Sequence, residues 1–338
     1  MKSFLLRLYI ALWLVCIGII GIAVLIANKL PHAMFAIADC GYNAEISIAD
    51  WPYTRRLFRV TDNPSAMDWK PIWSPDGREI AYQSDTNNQR AIYIVDLATG
   101  ARRPLTSSIE NAMSPSWSPD GKQIAFTHLI NGFTSPLFIA DLFSGDIREF
   151  AVKALYAQPP AWSPNSQSLA FTDYGSGVGE ILILDGTTGK TRNISNDPTA
   201  QDSDPAWSPD GKHLAFTSTR DNIAQLYIAD VETGAIHNFS NDTTKRYSGF
   251  AWSPDRDHIA VIVNEHEVRI EDMAGNILQS MASPQIPLTT HAVSWSPDGA
   301  YLALASDPPG AYLVDLASGT RYAVMTSGCD FVPIAWMP

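Results

Sequence analysis

From residue 35 to the C-terminus, apolar runs of four to six residues alternate with short polar stretches containing Gly or Pro, and the pattern as a whole repeats. One unit is clear in residues 205–240, PAWSPDGKHLAFTSTRDNIAQLYIADVETGAIHNFS. A first strand ends at Trp207. Ser208-Pro209-Asp210-Gly211 is a tight turn, because Pro fixes φ and Gly accepts the left-handed conformation. A second strand covers residues 213–218, and a variable polar loop leads to a third over 225–230. Glu232-Thr233-Gly234 then turns the chain into a fourth strand over 235–240. Turns this tight join antiparallel neighbours, so each unit predicts a four-stranded sheet.

Trp-Ser-Pro begins at Trp73, Trp117, Trp162, Trp207, Trp252 and Trp295, and Trp336-Met337-Pro338 ends the sequence, with spacings of 44, 45, 45, 45, 43 and 41. Four short antiparallel strands on a ~45-residue period are the mark of propeller blades. Before Trp73 only three strand-like segments occur, at 35–39, 46–50 and 57–61, matching the second, third and fourth strands of a unit. The missing first strand is 332–336. The expected fold is therefore all-β: a seven-bladed β-propeller whose N- and C-terminal ends share one blade, leaving no open sheet edge at the joint.

These repeats resemble the Trp-Ser-Pro-Asp-Gly β-propellers of the TolB C-terminal domain, the tricorn protease and the prolyl oligopeptidases, over residues 35–338. The resemblance implies the fold and says little of function, since the family holds scaffolds, gates and a few enzymes. The chain departs from TolB, which resembles six blades after a separate α/β domain. It also lacks the peptidases' hydrolase domain.

Residues Leu8 to Ala27 are twenty without a charge, enough at ~1.5 Å per residue to cross a ~30 Å hydrocarbon core. Lys2, Arg7 and the amino terminus precede this run and Lys29 follows it. That bias places the N-terminus in the cytoplasm and the propeller in the periplasm or outside the cell. The expected division is an anchor or uncleaved signal over 1–30 and a propeller over 31–338. Ala36-Ile37-Ala38 has the form of a signal-peptidase site but lies beyond the apolar run, so a retained single-pass anchor is the favoured reading over cleavage.

Charge then removes a class of partner. Residues 1–38 contain three basic residues and no acid, so the remainder holds 20 basic against 35 acidic residues, a net −15. Such a body repels phosphate backbones, which excludes nucleic acid as a natural partner. Gly175-Ser-Gly-Val-Gly179 lacks the strand–loop–helix context of a nucleotide site. There is no Gly-x-Ser-x-Gly, HExxH or CxxC motif.

The repeated Trp and the Asp ending each third strand (Asp50, Asp96, Asp141, Asp185, Asp230, Asp315) are packing and turn residues. Cys40 and Cys329 flank the strands of the joint blade, and alignment to the Trp117 unit brings them opposite each other within about one residue, so a disulfide tying the ring is expected, with two unrelated thiols as the alternative. On the loop side Asp68, Asp202 and Asp204 precede first strands, while Asp85, Asp173, Asp221 and Asp307 sit in loops. Carboxylates converging there would suit a hard cation such as Ca²⁺; a solvated acidic rim is the alternative. Pectate-type lyases with this propeller use a His-rich channel site, but here the seven His residues occupy different blade positions.

Residues 28–34 reach at most ~25 Å. A retained anchor therefore holds the tight-turn face to the membrane and leaves the variable-loop face free, where Leu129, Phe133 and Tyr174 are candidate partner contacts. The expected function is a non-catalytic, membrane-anchored scaffold for a protein partner, with a subunit of a membrane complex as one form of it. The alternative is a propeller enzyme or sugar-binding module using the channel.

Overall fold

The computed structural model describes residues 33–38, 44–51, 54–63, 65–86, 89–107, 109–129, 134–155, 158–282, 292–306, 310–325 and 335–337. Their regular structure is all β, with twenty-eight strands numbered in chain order. The first unit holds β1 (Ala33–Ala38), β2 (Ile46–Trp51) and β3 (Thr54–Arg59), and the second β4 (Ala66–Trp73), β5 (Glu79–Thr86), β6 (Gln89–Asp96) and β7 (Arg102–Pro104). Next come β8 (Ala112–Trp117), β9 (Gln123–His128), β10 (Thr134–Asp141) and β11 (Ile147–Leu155), then β12 (Ala161–Trp162), β13 (Ser168–Asp173), β14 (Glu180–Asp185) and β15 (Thr191–Asn193). The fifth unit is β16 (Asp202–Trp207), β17 (His213–Ser218), β18 (Gln225–Asp230) and β19 (Ile236–Asn238). The sixth is β20 (Tyr247–Trp252), β21 (His258–Val263), β22 (Glu267–Asp272) and β23 (Ile277–Ala282). The seventh is β24 (Val293–Trp295), β25 (Tyr301–Ser306), β26 (Gly310–Asp315) and β27 (Arg321–Met325), and β28 (Ala335–Trp336) ends the series.

Five of the sheets have four strands in simple order, and the third and fourth units merge into one eight-stranded sheet through the pair Ala154↔Asp173. β28 pairs β1 antiparallel, Phe35↔Trp336 and Ala36↔Ala335, so the two chain ends share a sheet in the expected register.

Second strands are continuous apolar runs rather than alternations because both their faces are covered. On β17, Leu214 and Phe216 pack against Ile181, Ile183 and Ile194 of the fourth unit, while Ala215 packs toward Tyr247, Ile259 and Val261 of the sixth. Burying each Leu, Ile, Val or Phe side chain contributes ~1.5–3 kcal/mol, and the core is a series of layers between neighbouring sheets. First strands carry a bulge before the Trp, with Lys70, Ser114 and Asp204 at φ 52°, 51° and 58°.

Several boundaries differ from expectation, and β1 begins at Ala33 rather than residue 35. The segment expected at 57–61 forms β3 at Thr54–Arg59, where its Arg-rich sequence offers little apolar pattern to read. The strand expected over 235–240 is only Ile236–Asn238, because the amides of Phe239 and Ser240 both turn to the carbonyl of Leu226.

Candidate functional site

The two faces of the repeat are built differently. On the tight-turn face every Trp-Ser-Pro-Asp turn satisfies itself. In the fifth unit Ser208 Oγ donates to Asp210 Oδ1 at 2.7 Å and accepts from the His213 amide, and the Lys212 amide donates to the same carboxylate. The bond from Ser208 holds Asp210 below the usual carboxylate range. In the fourth unit Asn165 replaces the Asp and accepts the same bonds, from Ser163 and the Gln167 amide.

Indole groups then stitch units together. Nε1 of Trp162, Trp207, Trp252 and Trp295 donates to the carbonyls of Ser116, Ala161, Ala206 and Ala251, each the residue before the preceding unit's Trp. Asp96, Asp141, Asp185, Asp230 and Asp315 accept amides of the turn that follows them. Asp272, which the sequence reading passed over, does the same. The Trp and Asp repeats are therefore architecture.

The opposite face repeats less closely, although Asp68 and Asp202 each stand five residues before the Trp of their units, opposite Ser84 and Ser218. Asp202 is fully buried and pairs with Arg220 at 3.3 Å, and Arg220 also lies over the Tyr227 ring at 4.6 Å. Asp204 accepts from Gln158 Nε2 at 2.7 Å across the unit boundary. Asp68 lies in another sheet, on β4, where burial pushes its carboxyl up and Oδ1 has no hydrogen-bond partner. The expected trio is thus split between two sheets, and among the described residues no three His, Cys, Asp or Glu side chains stand together to hold a metal ion.

Asp85 and Asp173 correct the loop expectation: each lies within a strand. Asp85 pairs with Arg90 at 3.3 Å, and Asp173 accepts from the amides of Lys153 and Gly175. Asp221 is in a turn, bonded to Asn238 and the Tyr227 hydroxyl. Asp307 lies outside the described residues.

Tyr174 is half-buried, and its hydroxyl accepts a bond from Gln201 of the next unit. Leu129 is half-buried at the end of the second strand of its unit, its amide on the Asn111 carbonyl. Phe133, Cys40, Cys329 and the apolar run 8–27 lie outside the described residues. Among the described residues no helix is long and apolar enough to cross a membrane.

Sequence reasoning missed Lys70 and Arg220. Lys70 Nζ donates to Ser114 Oγ at 3.2 Å, joining two first-strand bulges, and burial pushes its amine down. Arg220 was findable: it lies just past a second strand whose partner begins with an acid, and antiparallel pairing of Asp202 with Ser218 brings the two charges together.

The model of the TolB β-propeller domain family matches residues 102–338, and the chain belongs to that family. A Tol-Pal system protein TolB of Coxiella burnetii is 37% identical over 83 residues, covering 25% of this chain and 18% of the relative. TolB of Acinetobacter baumannii aligns in structure with a TM-score of 0.54 at 23% identity, over 75% of this chain and 64% of that one. An oligogalacturonate lyase solved with manganese aligns at 0.63 and 13% identity, over 87% and 84%. These last two likenesses show the fold alone. The chain thus matches only a minor part of this curated relative's length.

Proposed function

We propose that this chain is a non-catalytic scaffold, anchored in a membrane by residues 8–27, that holds a seven-bladed propeller outside the cytoplasm and binds a protein partner through its variable-loop face. The observation that carries this reading is the polarity of the disc. The start of β1 lies beside Trp336, at the tight-turn end of its sheet, and only residues 28–32 separate the apolar run from it. Five residues reach at most ~18 Å, which keeps the tight-turn face near the bilayer and turns the loop face outward. Ala36 and Ala38 are buried core residues of β1, which supports a retained anchor rather than cleavage after Ala38.

The seven four-strand groups, with β28 completing the first, support seven blades. β1 precedes Cys40 in sequence and β28 follows Cys329, and the pairing of these two strands supports the disulfide; alkylation with and without reductant, read by mass spectrometry, tests it. Relatives named for the Tol-Pal system support a protein partner.

The test is gentle detergent extraction with the chain tagged. Replacing Leu129, Phe133 and Tyr174 together by Ser should remove a copurifying protein while the melting temperature stays within a few degrees. Phe143→Ser, on the opposite face, should leave it bound. Retention by the triple variant would contradict the reading.

A further inference from the structure

The outer strand of the sixth unit is built unlike the other outer strands. An edge strand offers unpaired N–H and C=O groups, and folded proteins blunt such edges with short length, charge or Pro. β7, β15 and β19 are three residues long, and β7 reads Arg-Arg-Pro. β3, β11 and β27 are longer, and each carries Arg. Several of these Arg residues clamp a neighbouring unit: Arg102 donates to the Val60 carbonyl, Arg148 to Gly186, Arg192 to Val231 and Arg321 to Ala282.

β23 itself carries none of these sequence devices; Arg321 of the seventh unit caps only its last carbonyl, that of Ala282. The strand is six residues, Ile-Leu-Gln-Ser-Met-Ala, without charge or Pro. Its one irregularity is a register shift that leaves Leu278 unpaired, after which Gln279–Ala282 pair regularly with β22. A second observation falls on the same place. Six large apolar residues are exposed among the described residues, and three of them, Met273, Ile277 and Leu278, lie on this one hairpin, with Ile277 at 53% and Leu278 at 55%. Charge then selects the occupant. Residues 247–282 hold six acids against two bases, within a chain of net −12. A second acidic copy is repelled, and a basic segment is drawn in.

We propose that β23 is a docking edge that accepts an extended, basic peptide segment of a partner protein as an added strand, main-chain bonds supplying affinity and Ile277 and Leu278 meeting its apolar side chains. The edge does not depend on the loop-face reading.

The test uses the full chain in non-ionic detergent and a fluorescein-labelled octapeptide of alternating Val and Lys, followed by anisotropy. The peptide should bind. N-methylation at every second residue should weaken it at least tenfold, and an alternating Val and Glu peptide should not bind. Ile277→Lys with Leu278→Lys, at exposed positions, should also weaken binding tenfold with an unchanged melting temperature, whereas the triple loop variant should bind the peptide normally. Absence of binding, or binding that survives N-methylation or the double substitution, would overturn the proposal. So would sedimentation showing a dimer that the double variant dissolves, which would make a second copy the occupant.

Discussion

The indole Nε1 of Trp336 lies 2.9 Å from Oγ of Ser294, and this bond ties the C-terminal turn to the unit before it in sequence. Ser294 precedes Trp295, so the acceptor occupies the same place in the repeat as Ser116, Ala161, Ala206 and Ala251, with a hydroxyl in place of a carbonyl. On its other side Met337 packs against Gly77, as Pro75, Pro164 and Pro254 pack against Gly121, Gly211 and Gly299. Trp336 thus links the seventh unit to the first.

Trp336→Ala should therefore destabilise the protein by ~2–3 kcal/mol, below the full range for a buried Trp because this one is half-buried. Trp336→Phe keeps most of the packing and loses the bond, at a cost of about 1 kcal/mol. Urea unfolding followed by far-UV circular dichroism measures both. Equal stability of wild type and the Ala variant would show that the ends do not close the structure.

Arg256 stands where four other turns have Gly, and it is held at φ 76°. The left-handed conformation costs a residue with a Cβ ~1–2 kcal/mol, more than the entropy Gly loses on folding. Arg256→Gly should raise stability by ~0.5–1 kcal/mol, seen as a melting temperature a few degrees higher. Ser166, also left-handed at φ 61°, is a poorer site for the same change, because its Oγ accepts the Asp120 amide at 3.0 Å.

Acid should weaken the fold through the turn aspartates. Asp76, Asp210 and others like them have carboxyls held low, chiefly by a Ser hydroxyl. A depressed folded value gives stability that is present above the ordinary value near pH 4 and is lost as pH falls through the folded one. Asn165 shows that an amide serves the same turn. Asp210→Asn should thus keep the turn, forfeit at pH 7 the stability that the ionised carboxylate adds, and reduce the loss as pH falls below ~4. A steeper acid loss in that variant would contradict the assignment.

The legible part of the fold was what each unit must repeat. Ser, Pro, Asp and Gly at fixed offsets state a turn, and a Trp before them states an interunit contact, so strands and closure followed from spacing. The site was less legible, because it consists largely of departures from the repeat. Asp173 reads as a loop residue, yet it ends β13 and caps the turn after it. Gly179 reads as the end of a Gly-rich loop, but a Cβ there would meet the Asp202 carbonyl at 2.6 Å and the Gln201 side chain, so it is a close approach between units. Such contacts depend on how neighbouring sheets are set, and a single strand's pattern carries no trace of that.

Photo-crosslinking in intact membranes tests the central claim most directly, with benzoylphenylalanine placed either at Leu129 on the loop face or at Phe143, which is fully exposed on the tight-turn face. A membrane-held disc that offers its loops outward predicts a discrete protein adduct from position 129 and none from 143. A protein adduct from 143 alone would reverse the orientation and contradict the account.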